Sequence, residues 1–168
     1  FVLILSGFKT IIFNQDLYKK EFLTHNVYNN FESKELVDEN LNSLINFLEG
    51  KDSKLETDFF SEKEKIHLND VKNLIQRLNI LLWFFIFLLL LTLGYLLYLK
   101  KYKLLLKSLI IGALSTIFII FIFYILVLFN FNNVFAYFHF ISFDNNYWIL
   151  NPETDNLIKM FPQEIFLF

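Results

Sequence analysis

Two long uncharged apolar runs constrain this chain more than any other feature of its sequence. Residues 80–99 carry no charged side chain and are flanked by Arg77 and Lys100, and residues 108–129 form a second such run. Each run is long enough to form a helix that crosses about 30 Å of hydrocarbon. The apolar residues are bulky, with 23 Phe against 4 Gly, which suits contact with acyl chains better than close helix packing. We therefore expect a mainly α, polytopic membrane protein.

The short segment between the two runs, residues 100–107, indicates the topology. It contains four lysines and no acidic residue. Short loops with this bias stay on the cytoplasmic side of a membrane. We therefore predict that residues 80–99 and 108–129 cross in opposite directions, and that residues 14–79 and 130–164 are extracellular. These two outer segments carry net charges of −4 and −3.

The two ends of the chain complete a four-span interpretation. We expect residues 1–13 to be the remnant of an N-terminal span, interrupted by Lys9, and residues 165–168 to be the start of a final span. The chain begins at Phe1, and its only methionine is Met160. We therefore interpret it as part of a four-span helical bundle whose first and last spans are truncated.

The first outer segment predicts a helical extracellular head. Ser33 is a suitable cap for an amphipathic helix that ends at Gly50, and the apolar face of this helix needs a partner surface. Ser61 and Glu64 form a capping box, and the apolar positions after it lead directly into residues 80–99. We expect one long helix that runs from the head into the membrane.

The second outer segment predicts a turn, a strand and a short helix. Residues 144–146 read D-N-N and indicate a turn, and residues 147–150 are expected to form a brief strand. Asn151 is expected to cap a short helix that has Pro152 at its first position and ends at Pro162. The predicted head is thus helical with one short β element.

All three histidines, His25, His67 and His139, lie in the outer segments. Imidazole exchanges protons near neutral pH, so two rings that converge would form a general acid and base. His67 has Asp70 one helical turn away, where the carboxylate can hold the ring or raise its pKa. His139 lies at the outer end of the second apolar run and is followed by Asp144. We expect His25 to be a surface residue.

Residue types alone leave other chemistries open. Ser142 lies near His139 but lacks the G-x-S-x-G context of a nucleophilic serine. His67, Asp70, His139 and Asp144 together could ligate a divalent metal, although zinc spacings such as H-E-x-x-H are absent. The lack of cysteine removes thiolate chemistry, and the lack of a long basic run argues against a nucleic-acid partner. The alternatives to a two-histidine enzyme are a non-enzymatic scaffold with a partner-binding head and a metal-dependent membrane hydrolase.

Three motifs resemble those of one known family. They are I-H-L-N-D-V-K at residues 66–72, F-H-F-I-S-F-D-N-N-Y-W at 138–148 and N-P-E-T-D at 151–155. At this topology they resemble the lipoprotein intramolecular transacylases, a family of bacterial four-span membrane proteins, and the resemblance covers the whole chain. The family commonly has Asp where this chain has Asn151.

The resemblance implies an enzyme that moves an acyl chain from the S-glyceryl ester to the α-amine of the N-terminal cysteine of a diacylated bacterial lipoprotein. It implies that His67 and His139 are the catalytic pair, that no cofactor or metal is needed, and that the protein works among membrane lipid. Two histidines suit the proton transfers of an ester-to-amide exchange. From side-chain type and position, Asn145 or Asn146 is a candidate oxyanion donor, and Trp148 is a candidate wall of the acyl pocket.

The sequence does not determine how far the histidines lie above the membrane. A straight helix of 1.5 Å per residue would lift His67 roughly 20 Å above residue 80. The ester of a lipid substrate lies lower than that. Either this helix tilts or bends, or the membrane begins nearer Leu74, or the second span delivers His139 well above the hydrocarbon.

Overall fold

The structure, a computed structural model, describes residues 2–166, so that Phe1, Leu167 and Phe168 lie outside the described residues. Within that range the chain is mainly helical, as predicted, and two short 3₁₀ helices accompany the α-helices. The α-helices are α1 (Val2–Ile12), α2 (Gln15–Thr24), α3 (Lys34–Glu49), α4 (Glu62–Tyr98), α5 (Tyr102–Ser142) and α6 (Asn156–Met160). The 3₁₀ helices are Val27–Asn30 and Gln163–Phe166.

Helix α4 begins in the head and continues as a predicted span, which confirms the single long helix. The capping box is present: the Ser61 hydroxyl accepts from the Glu64 N–H at 3.4 Å, and the Glu64 carboxylate accepts from the Ser61 N–H at 2.6 Å. α4 and α5 have 37 and 41 residues, and both are apolar enough to cross a membrane. In their most apolar stretches only 11% and 0% of the residues are buried inside the protein, so the apolar surface faces outward, where lipid can cover it.

The connection between α4 and α5 is shorter than the predicted basic loop of residues 100–107. Lys100 adopts a left-handed backbone, with φ of 53°, and its N–H donates to the carbonyl of Leu97. The Lys101 N–H donates to the carbonyl of Leu96, so the two bonds form a Schellman turn. α5 then begins at Tyr102, because the lysines and leucines that follow are good helix formers and no Pro or Gly interrupts them.

The head is built around α3, whose predicted ends are confirmed. The Ser33 hydroxyl accepts from the Leu36 N–H at 3.1 Å, and Gly50 ends the helix with φ of 84°. α3 packs against α2 and α4, while α6 lies against the first 3₁₀ helix and α2 against the second. The buried core contains Phe22, Val27, Val37, Leu41, Leu44, Ile45, Phe47, Leu55, Phe60, Leu68, Leu157, Met160 and Ile165. This core is the partner surface that the amphipathic α3 required.

The segment after α5 differs from the prediction in two respects. Residues 147–150 form a turn and irregular backbone instead of the expected strand, and the described residues contain no neighbouring strand with which they could pair. The short helix begins at Asn156, later than expected. Asn151 starts a turn instead, in which its side chain accepts from the Glu153 N–H at 3.0 Å. The helix does end before Pro162, as predicted.

Both ends of the described chain pack against other elements. α1 lies against α4, and the Lys9 ammonium donates to the side-chain oxygen of Asn79 at 3.1 Å. Residues 165–168 were expected to start a final span. Within the described part of that segment, Ile165 is buried in the head core, and the 3₁₀ helix Gln163–Phe166 belongs to the head.

Candidate active site

Two imidazole rings from different helices lie close together where α4 and α5 join the head. His67 of α4 and His139 of α5 have ring centroids 5.7 Å apart, and the two residues are only 6% and 8% exposed. α5 does not stop at residue 129, and its upper part carries His139 to the level of His67. Only Asn130 interrupts the helix, with φ of −154° and ψ of 52°. The extension of α5 therefore brings His139 alongside His67.

His139 is held in one tautomer. Its Nδ1 lies 2.8 Å from the carbonyl oxygen of Phe135, and since a carbonyl only accepts, Nδ1 carries the hydrogen. The lone pair of the neutral ring is therefore on Nε2. The rings of Phe135, Trp148 and Phe143 surround the imidazole at 4.0, 5.0 and 5.6 Å between centroids. Burial lowers the pKa of His139, and the bond to Phe135 opposes this effect only in part.

His67 is buried without a complete set of partners. Its Nδ1 has no hydrogen-bond partner in the described part of the chain, and Phe143 contacts the ring edge-on at 5.2 Å. Burial lowers the pKa of His67 to about 4, with a further contribution from the nearby His139, while Asp70 acts in the opposite direction. The expected rise in pKa from Asp70 is therefore overcome by desolvation.

Asp70 and Asn145 contact each other instead of the imidazoles. The Asn145 side-chain N–H donates to Asp70 Oδ2 at 2.8 Å, and Asn145 Oδ1 accepts from the Tyr147 N–H at 3.0 Å. Asp70 thus fastens the loop after α5 to α4 and does not hold the His67 ring. Asn145 retains one amide hydrogen for another acceptor.

Of the other candidate site residues, one lies against the histidine pair and the rest lie apart from it. Asp144 and Asn146 are exposed, and within residues 2–166 their side chains form no hydrogen bond, so neither orients His139. Trp148 lies against the His139 ring, with centroids 5.0 Å apart and the two planes tilted by 33°. His25 lies at the end of α2 and pairs with Glu21 at 3.5 Å, apart from the other two histidines. Across residues 2–166, no three His, Asp or Glu side chains converge as a metal site would require.

Sequence reasoning did not single out Phe135 and Phe143, which line the pair. Phe135 lies four residues before His139, and Phe143 lies four residues after it. That spacing places all three side chains on one face of α5. An aromatic residue one turn before and one turn after a candidate histidine was the signal that could have found them.

Two long apolar helices, a helical head and a buried pair of histidines are the features of a multi-pass membrane protein. The family model of lipoprotein intramolecular transacylase Lit matches residues 1–166. The chain belongs to the lipoprotein intramolecular transacylase family, which makes it a membrane enzyme that acts on lipoproteins. A search of curated protein sequences gives no match.

Solved structures support the same assignment. The membrane-integral lipoprotein intramolecular transacylase Lit of Bacillus cereus is 28% identical over 99% of this chain and 77% of that chain, with a TM-score of 0.81. Two variants of that protein also match, with TM-scores of 0.79 and 26% identity over 99% of this chain. They carry a histidine-to-alanine and a histidine-to-arginine substitution, and the matches cover 76% and 74% of those chains.

Proposed function

We propose that this chain moves an acyl chain from the S-glyceryl ester to the α-amine of the N-terminal cysteine of a diacylated lipoprotein, at the outer face of the cell membrane. Family membership supports the reaction class. The observation that carries the site is the meeting of His67 and His139, with ring centroids 5.7 Å apart. The lysine-rich connection between α4 and α5 supports the outward position of both rings and of the head, residues 14–79 and 130–164.

His139 is the proton carrier in this proposal. Because Nδ1 is committed to the Phe135 carbonyl, the Nε2 lone pair takes a proton from the α-amine as the nitrogen attacks the ester carbon. A C–N bond forms and the C–O bond to the glyceryl oxygen breaks. The imidazolium then returns its proton to that oxygen, so the ring ends the cycle neutral. Since amine and ester belong to one lipopeptide, orientation supplies on the order of 7–11 kcal/mol of the barrier reduction.

His67 acts as a neutral hydrogen-bond donor in the same reaction. A positive charge on His139 disfavours a second charge on His67, so the pair carries at most one extra proton. The Nδ1 of His67 is the buried ring atom that lacks a partner in the described structure. A substrate oxygen would satisfy it, and a neutral N–H there would stabilise the carbonyl oxygen as negative charge develops.

The test must account for a reaction that leaves the mass of the lipopeptide unchanged. The intact protein is incubated with a diacylated lipoprotein in lipid vesicles, and the N-terminal peptide is analysed by mass spectrometry before and after labelling with an amine-reactive reagent. Transacylation predicts an unchanged mass and an α-amine that no longer reacts. A hydrolase would remove one acyl mass and leave the amine reactive, and a scaffold would change neither. Either of these last results would refute the proposal.

Three matched variants test the site. His67→Ala and His139→Ala are expected to abolish protection of the amine without loss of the protein from the membrane. His25→Ala is the control, because its ring is exposed and lies outside the pair. Full activity in both of the first two variants would remove the proposed mechanism.

A further inference from the structure

The segment from the end of α5 through α6, residues 143–160, crosses over the histidine pair, and we call it the outer strap. Trp148, within the strap, contacts the His139 ring, with centroids 5.0 Å apart and the two planes tilted by 33°. No regular secondary structure holds the strap between Phe143 and Asp155. Its position therefore depends on the core packing of Leu157 and Met160 and on side-chain bonds to the rest of the head.

Three of these bonds lie at or near the start of α4. The Lys63 ammonium donates to the carbonyl of Ile149, and the Asn156 side chain donates to the carbonyl of Phe59 at 2.6 Å. The third joins the backbone N–H of Leu157 to Glu64 Oε1 at 2.5 Å. That N–H belongs to the first turn of α6, where backbone donors lack partners within the helix.

Glu64 is the most buried residue of these three attachments, at 1% exposure. Its two carboxylate oxygens have different tasks. Oε2 accepts from the Ser61 N–H and closes the cap of α4, while Oε1 accepts from the Leu157 N–H and caps α6. The next turn of α4 carries His67. One buried side chain thus joins the helix that bears His67 to the strap that covers His139.

We propose that Glu64 is a positioning residue, which fixes the outer strap on α4 and so holds Trp148 and the His139 ring in register with His67. The inference rests on the proposed function for its effect on catalysis, whereas its effect on the strap is independent of that function. Both carboxylate oxygens of Glu64 accept from backbone N–H groups, so its effect on the reaction passes through the position of the strap. We expect that effect to fall on turnover.

Glu64→Gln is the sharpest variant because it keeps the shape of the side chain but has one acceptor oxygen and an NH₂ group. One of the two backbone N–H groups must then face another donor. Ser61→Ala is the matched control. It removes the other half of the capping box, at a cost of about 1 kcal/mol to the helix, and leaves the bond to Leu157 intact.

The first measurement reads the strap directly. In a Trp83→Phe background Trp148 is the single tryptophan, since the chain has only two. A protonated imidazole quenches an indole in contact with it, so the emission of Trp148 should fall as acidification protonates His139. We expect Glu64→Gln to lose most of this quenching and Ser61→Ala to retain it. Equal quenching in both would overturn the proposal.

The second measurement is steady-state kinetics of amine protection. Displacement of a catalytic group by about 1 Å can cost on the order of 100-fold. We expect Glu64→Gln to lower kcat at least tenfold with KM unchanged, and Ser61→Ala to leave both near wild type. A rise in KM alone, or an equal loss of kcat in both variants, would contradict a positioning role.

A replacement variant covers the case in which Glu64→Gln does not fold. If Glu64→Gln does not fold, Asn156→Ala replaces it, because it removes another strap bond without affecting the cap of α4. The same loss of quenching is expected, to a smaller extent, and unchanged quenching would overturn the proposal. An inactive wild-type protein would refute the proposed function, while the fluorescence measurement would still test the strap.

Discussion

Acidification should destabilise the head because His67 is buried in its neutral form. Burial lowers the pKa of His67 from 6.5 to about 4 in the folded protein, whereas the unfolded chain keeps the ordinary value. Between these values the unfolded state binds more protons than the folded state, so the free energy of unfolding decreases as pH falls through this range. The full effect below pH 4 is about 3 kcal/mol, from 1.36 kcal/mol for each unit of the difference.

The most useful comparison lies between pH 7 and pH 5, where Asp and Glu titrate little. Linkage over this interval gives a loss of about 2 kcal/mol for His67. This loss corresponds to a decrease in Tm of about 4–8 °C for a protein of this size. The assay is thermal unfolding in detergent micelles at the two pH values, with the wild type and His67→Phe measured side by side.

The His67→Phe variant shows how much of the decrease in Tm comes from His67. Phenylalanine preserves the ring packing against Phe143 but cannot titrate, so the decrease in Tm should shrink by the contribution of His67. The remaining decrease reports His139, whose pKa burial also lowers. An identical decrease in the wild type and in His67→Phe, or no decrease in the wild type, would refute burial of His67 as the source of acid sensitivity.

Two other predictions concern the reaction and its support. Since burial lowers the pKa of both histidines, they stay neutral near pH 7. The acid limb of the kcat/KM profile should therefore follow the pKa of the substrate α-amine, at about 7.7–8.0. A profile that is already flat above pH 6.5 would contradict this. Asp70→Ala and Asn145→Ala should each lower stability, and the double variant should show a coupling energy of about 1 kcal/mol in thermal unfolding, because the two side chains share one hydrogen bond. Strict additivity of the two substitutions would indicate that the bond contributes nothing.

The sequence was most informative where structure depends on neighbouring residues. The ends of α3 and the start of α4 were predicted from Ser33, Gly50, Ser61 and Glu64, because a cap needs only residues within one helical turn. The strand at residues 147–150 was wrong for the opposite reason, since a strand needs a partner that local sequence does not supply.

The histidine pair also combines features that depend on neighbouring residues with features that depend on distant ones. His67 and His139 were singled out by residue type and by their motifs, but the distance between them depends on how α4 and α5 pack against each other. Asp70 acts on the pKa of His67 in the expected direction, but its hydrogen bond comes from Asn145, a residue 75 positions away. The residue spacing could not show this competition.

By itself the sequence determined the two spans, their basic connection, the helical head and the two histidines, because hydropathy, charge and capping are properties of short segments. Only the tertiary structure decided that the rings meet, that burial lowers the pKa of His67 against the effect of Asp70, and that Glu64 caps a helix 93 residues further along the chain. These outcomes depend on desolvation and on donors from distant segments, which exist only once the strap, α4 and α5 have packed together.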